Sequence, residues 1–311
     1  MASLAAAHAA GRLPHALLVH ESPGAGGEWL AEWAARLVLC ERPAAAPCGS
    51  CASCQRAASG HHPDIVPVRP IEDSQQLKIE QVRELASELA LTSHQGGYKV
   101  GILSPADSLN RFAANALLKT LEEPPAHTLL ILVASEPSRL PVTILSRCQR
   151  IRVRAPARAQ SISWLRASCG EGDWDAVLDV LGEAPLAAAA ADAKAIPQLG
   201  GEMRRSLEEL ASGVADPVST AERWSRSDFA LRLRCFENWL TDRIRTEAGV
   251  SVAAVEIRAP AHLPRAASPP KLRGLFELMD GVRELKAALD SPLNKSLALE
   301  GLLRRLVAGK H

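Results

Sequence analysis

Five short, continuous apolar runs, separated by stretches of helical periodicity, constrain what the first half of this chain can fold into. The runs are residues 15–20 (HALLVH), 64–68 (DIVPV), 98–103 (YKVGIL), 128–133 (TLLILV) and 148–153 (CQRIRV). Continuous apolar runs of this length, TLLILV above all, suit strands covered on both faces, which implies a parallel sheet. Helical patterns over 28–39, 78–91 and 112–123 lie between them, the last stopped by Pro124 and Pro125. Strand and helix in repetition predict a doubly wound α/β domain over residues 1–155. Beyond Pro156 the strand signal vanishes. Helical segments follow at 159–168, 174–181 and 186–194, and the pattern is helical throughout from about residue 200. The expected division is an α/β domain (1–155), a small helical lid (156–199) and an all-α domain (200–311). A break through Pro260, Pro264, Pro269 and Pro270 reads as one exposed loop inside the last of these.

The core such a chain can build is aliphatic, because 47% of its residues are apolar but only 4% are aromatic. Thirty-six basic residues against thirty-five acidic ones exclude a polycation that coats nucleic acid, so any contact with DNA is local or shared with partners. No stretch approaches the ~18 consecutive apolar residues of a membrane span. The opening MASLAAAHAA lacks the basic start of a secretory signal. A cytoplasmic address is expected, in which the seven cysteines are thiols or metal ligands and not disulfides.

Four of those cysteines, Cys40, Cys48, Cys51 and Cys54, are spaced C-x7-C-x2-C-x2-C. Two-residue gaps let tight turns aim neighbouring sulfurs at one ion, and Gly49, Ser50, Ala52 and Ser53 are small enough to permit those turns. Four thiolates close a tetrahedral shell around zinc and leave no position for water, so the metal expected here is structural. His61 and His62 read as loop residues leading to the strand at Asp64.

The segment 21–28 (ESPGAGGE) stands where a strand-to-helix phosphate loop, G-x-x-x-x-G-K-[ST], would lie. Glu21 replaces the first glycine, Gly27 the lysine that meets β- and γ-phosphates, and Glu28 the hydroxyl that ligates magnesium. A carboxylate at a helix N-terminus repels a triphosphate. The acidic pair that would hold magnesium and polarise water after Leu103 is replaced by Ser104 and Pro105, with Asp107 falling in the following turn. Bound ATP is not expected.

Several segments carry a resemblance: Arg12–Leu18 (RLPHALL), the cysteine cluster, residues 60–64 (GHHPD), residues 114–125 (ANALLKTLEEPP) and Ser146-Arg147-Cys148, in this order. Together they resemble the AAA+ clamp-loader family of bacterial DNA polymerase III, strongly over the first domain and more weakly at 294–303 (NKSLALEGLL). The ruined phosphate loop sets the chain apart from the family's gamma/tau ATPases. The resemblance implies an AAA+-type domain, a lid and a collar, in a subunit of a five-membered ring with gamma/tau and delta subunits. That ring opens the sliding clamp and places it on primed DNA. It also implies that Arg147 enters the ATP site of a neighbouring subunit, where a forked guanidinium neutralises charge developing on the γ-phosphate.

Asn115, Lys119 and Glu122 share a helix face at i, i+4, i+7, opposite a buried stripe of Leu117, Leu118 and Leu121. That polar face reads equally as solvated surface or as a contact for a neighbour or DNA. Further departures from ATP-hydrolysing relatives are the short segment before RLPHALL, the Ala134-Ser135 pair after the fourth strand, and the lack of arginine in 182–186 (GEAPL). An AAA+ ATPase with a degenerate loop is the competing reading. A zinc-ribbon nucleic-acid module is a third, disfavoured by near-zero net charge and few aromatic platforms. Cys148, Cys169 and Cys235 read as small packed residues.

Overall fold

The computed structural model describes residues 1–21, 24–71, 76–94, 97–249, 270–289 and 293–309. The chain divides into two compact units: Met1–Ser163 with Glu183–Ala187, and Trp164–Gly182 with Ala188–His311.

In the first unit, α1 (Ala2–Ala9), β1 (Ala16–His20), α2 (Gly27–Leu39), α3 (Ala52–Ala58), β2 (Ile65–Val68), α4 (Ile79–Ala90), β3 (Lys99–Leu103), α5 (Arg111–Glu122), β4 (Thr128–Ala134), α6 (Val142–Leu145) and β5 (Gln149–Arg152) follow in order. The five strands form one parallel sheet in the order β2-β3-β4-β1-β5. β4 is central and buried along its whole length, which accounts for its unbroken apolar run. Leu130 and Leu132 face the core made with α4 and α5, through Leu85, Leu89, Leu117 and Leu121. Leu129, Ile131 and Val133 face the opposite core, built on α2 through Leu30, Ala34 and Leu37. Gly101 is glycine because a Cβ there would lie 2.9 Å from Leu85 Cδ1, so its absence lets α4 settle onto the sheet.

The strands and the three helices between them form the expected parallel α/β class, each bound within one residue of the expected one. Two helices were not expected, α1 over the opening ten residues and α3 within the cysteine segment. Leu118 is only half-buried, so the stripe of α5 rests on Ala113, Ala114, Leu117 and Leu121.

The helices that follow are α7 (Arg158–Cys169), α8 (Trp174–Leu181), α9 (Pro185–Ala189), α10 (Ala195–Ala211), α11 (Pro217–Arg226), α12 (Phe229–Glu247), α13 (Pro270–Ala287) and α14 (Lys295–Gly309). α7 crosses from one unit to the other, and α9 ends at Ala189, well short of the expected 194. Asp192, whose carboxylate accepts from the amides of Lys194 and Ala195, nucleates the start of α10 there instead. In the second unit Trp224 meets Phe236 edge-to-face at 6.5 Å. Buried Arg232 donates to Glu202 at 3.1 Å and to the Ser227 carbonyl at 3.2 Å, and Asn238 bridges to the Asp179 and Val180 carbonyls. Pro260, Pro264 and Pro269 lie outside the described residues; Pro270 opens α13. Among the described residues no helix is long and apolar enough to cross a membrane.

Candidate functional site

Three sets of side chains in the first unit carry chemistry. The first is the cysteine cluster. Cys40 terminates α2 in extended conformation, and Cys51 is the N-cap of α3, so two helix ends bring the thiols together. Gly49 supplies the left-handed turn between them, with φ +70°. The four sulfurs of Cys40, Cys48, Cys51 and Cys54 all lie within 4.8 Å of one another. A tetrahedral shell with metal–sulfur bonds of ~2.3 Å has edges of roughly 3.8 Å, so this donor set fits a metal ion with little movement. Backbone amides already point at the sulfurs: Arg42 and Cys48 at Cys40, Cys51 at Cys48, Cys54 at Cys51, at 3.3–3.5 Å. Such donors stabilise thiolates and orient them. Hydrogen bonds from Ser50, backbone and then hydroxyl, pull Cys48 down to about 6. The Cys54 amide lowers Cys51, whereas burial pushes the Cys54 thiol up to about 12. The cluster is stapled to the end of α2 and to the approach of β2 by Ser53, whose hydroxyl donates to the Leu39 carbonyl at 2.6 Å and meets His62 Nε2 at 2.9 Å. His62 Nδ1 in turn accepts the Asp64 amide at 3.1 Å, so the ring is held as the neutral Nε2–H form.

The second set occupies the strand-to-helix loop after β1. Ser22 and Pro23 lie outside the described residues. Glu21 is buried, and its carboxylate accepts the Gly27 amide at the N-terminus of α2. That is where helix geometry would present donors to a phosphate. A Cβ on Gly27 would sit 2.5 Å from Glu21 Cδ, so glycine is what lets the carboxylate dock. Glu28 is tied on both oxygens, accepting from the Ser104 hydroxyl and from Arg69 Nη2 at 3.0 Å. The hydroxyl and the carboxylate have thus exchanged places between the loop and the end of β3. Asp107 is buried and accepts from the Ser135 amide, the Ser135 hydroxyl and the Glu136 amide at 2.7–3.1 Å, so it braces the end of β4. A cavity of about 470 Å³ remains, lined by Glu21, Glu28, Trp29, Ser104, Ser135 and Leu186 among others. Its walls carry two carboxylates where a phosphate site would carry an ammonium.

The third set surrounds Arg147, at the exposed turn between α6 and β5. Its guanidinium pairs with Glu122 at 2.8 Å and donates to the Thr143 carbonyl at 3.0 Å. Residues 25 apart, singled out separately in the sequence, therefore meet, while Asn115 and Lys119 are exposed on the same helix as Glu122. The sequence carried no signal for the Glu21 plug, for Arg69, or for the Ser53–His62 staple, since each depends on a partner from a different element. Cys148 and Cys235 are buried as expected and burial raises both thiols to about 11, but Cys169 is exposed, because α7 ends with that face open.

Fold and loop define the class: a parallel α/β domain with a nucleotide-type strand–loop–helix whose phosphate position is filled by the chain's own carboxylate, continued by an all-helical segment. The sequence model of the family described as "DNA polymerase III, delta subunit" matches residues 1–157. The chain is 33% identical over 299 residues to the DNA polymerase III subunit delta' of Pseudomonas aeruginosa, covering 93% of this chain and 90% of that one. It is 31% identical over 312 residues to the Escherichia coli subunit delta', covering 97% and 92%. Against the Salmonella typhimurium subunit tau the match is 37% over 146 residues, covering 47% of this chain and 22% of that one. The chain belongs to the DNA polymerase III delta' subunit family.

Proposed function

We propose that this chain is a non-hydrolysing subunit of the DNA polymerase III clamp loader. On this reading it joins gamma/tau ATPase subunits and a delta subunit in a five-membered ring in the cytoplasm. It completes a neighbour's ATP site with Arg147 and helps place the sliding clamp on primed DNA. Its three parts act as an AAA+-type domain (1–155), a lid (156–199) and a collar (200–311).

The observation that carries the reading is the closed loop after β1. The Glu21 carboxylate takes the Gly27 amide that a phosphate would need, and Glu28 is spent on Ser104 and Arg69. A triphosphate entering there would displace one carboxylate, meet another, and find no lysine. Arg147 is exposed on a structured turn and held by Glu122, which orders the fork without burying it. Zinc in the Cys40, Cys48, Cys51 and Cys54 cluster is structural, since four sulfur donors leave no open position for water.

Reconstitution tests the whole reading. Mixed with gamma/tau and delta subunits, the chain should co-elute as one complex that loads the clamp on primed DNA in an ATP-dependent manner. Alone it should bind no nucleotide. Loading that proceeds equally well without this chain would overturn the proposal.

A further inference from the structure

β5 is one edge of the sheet, paired only with β1. Its register places Arg150 opposite Leu18 and Arg152 opposite His20. Residues paired across adjacent strands share a face, so both arginines lie on the face where Leu18 packs toward α4 and α5. Ile151 and Val153 turn the other way and pack against the α2 side. Exposure alternates accordingly from 150 to 154: Arg150, Arg152 and Arg154 are exposed, Ile151 and Val153 half-buried. Arg150 and Arg152 are about 6.6 Å apart, twice the rise of a parallel strand, and Arg154 follows two residues past the end of β5.

Among the described residues no ion pair involves Arg150, Arg152 or Arg154, whereas Arg147 just before them is paired with Glu122. The Val153 amide donates to the His20 carbonyl, so in a parallel ladder the amides of Arg150 and Arg152 point outward from the edge. Among the described residues, the unpaired guanidiniums of Arg150 and Arg152, that of Arg154 just past the end of β5, and two outward-pointing amides thus gather along this edge. The row has no aromatic side chain on which a base would stack.

We infer that this edge is a binding surface for the phosphate backbone of duplex DNA. Phosphate oxygens accept from arginine forks and from backbone amides alike. Three arginines can meet about three phosphates of one strand, one contact each. The contact is independent of base sequence, and it supplies a local basic site on a chain whose net charge is near zero. The inference gives the DNA named in the proposed function a place on this chain, but it does not depend on Arg147 acting as a finger. Charge on an edge strand also discourages unwanted strand pairing, and that role makes a different prediction.

The test is fluorescence anisotropy of the full, metal-loaded chain on a labelled duplex, titrated with salt. Wild type should bind at low salt with log K falling against log salt, and three arginine–phosphate contacts should account for a slope of about −2.7. Arg150→Gln, Arg152→Gln and Arg154→Gln combined should weaken binding about ten-fold or more and flatten the slope by that amount, with thermal midpoint and metal content unchanged. Arg152→Gln alone should flatten it by about one third of that. Equal affinity and slope for wild type and triple variant would overturn the inference, as would a triple variant that self-associates while binding duplex normally, which leaves the arginines as guards of the edge. A poly-glutamate peptide that binds as tightly as duplex and is lost in the same variant would give the surface to an acidic protein segment instead. Arg147→Ala separates this test from the proposed function, because it should leave duplex binding intact while reducing a neighbour's ATP turnover.

Discussion

Arg147 illustrates how much of a side chain's role is set by what holds it. The guanidinium is exposed, but its pair with Glu122 and its bond to the Thr143 carbonyl limit the rotamers it samples. An exposed pair of this kind contributes little to stability, on the order of 0–1 kcal/mol, so its consequence is positional. If Arg147 enters a neighbour's ATP site as proposed, Arg147→Ala in a reconstituted ring should leave this subunit folded and assembled, yet lower turnover at that one site by about 10³–10⁵. Total ATPase of the ring would fall only in part, because the other sites keep their own arginines, and DNA- and clamp-stimulated hydrolysis measures both effects. Arg147→Lys should not restore the loss, since an ammonium lacks the planar fork. Glu122→Gln should give a smaller loss, because the fork stays while its anchor goes. Unchanged hydrolysis and loading in Arg147→Ala would reduce this arginine to an ordinary surface residue.

The element between α2 and β2 owes its shape to two independent fastenings. Sulfurs from the end of α2 and the start of α3 converge on one point, and Ser53 with His62 ties α3 to the approach of β2. Purified without chelator, the chain should hold one zinc; Cys51→Ser should release it and lower the thermal midpoint of the first unit, because metal binding to a folded site is folding free energy. Elemental analysis beside calorimetry checks both statements. The His62 fastening adds a pH dependence. Burial lowers this ring below its ordinary value of 6.5, and protonation would cost it the Asp64 amide. A group favoured neutral in the fold contributes fully above the unfolded value, and that contribution is lost as pH falls from about 6.5 toward the lowered one, where the unfolded chain takes up the proton first. Chemical denaturation at pH 7.5 and pH 5.5 should therefore show a loss that is smaller in His62→Gln than in wild type. Equal losses would remove His62 from the account.

For the molecule as a whole, two units of different construction share one chain, and the nucleotide question belongs to the first. The isolated protein should show no magnesium-dependent turnover of ATP. Gly27→Lys should not create any, since its Cβ would meet Glu21 and the groups that hold magnesium would still be lacking. Radiolabelled phosphate release checks this directly, and measurable turnover by the wild-type chain would reverse the reading of the loop. A loop without those groups is compatible with a full structural role, because the sheet and its two cores are built from apolar runs that the loop does not interrupt.

Much of this was legible from residues alone, for reasons that are local. Period and length placed β1 to β5 and the helices α2, α4 and α5, because each run is long enough to reveal whether one face or two will be buried. Spacing alone marked the four cysteines, and the loss of lysine and hydroxyl marked the loop. What the sequence could not hold were the partnerships between distant elements. Glu28 meets Ser104 and Arg69, Arg147 meets Glu122, and Ser53 meets His62 only once helices and strands are stacked. The arginines at β5 are of the same kind: three of them two residues apart are visible in the sequence, but only the sheet order makes β5, which carries Arg150 and Arg152, an edge with one face open. Local chain geometry determines an element, whereas a carboxylate or guanidinium is satisfied by whatever the packing brings within reach, and that is decided in three dimensions.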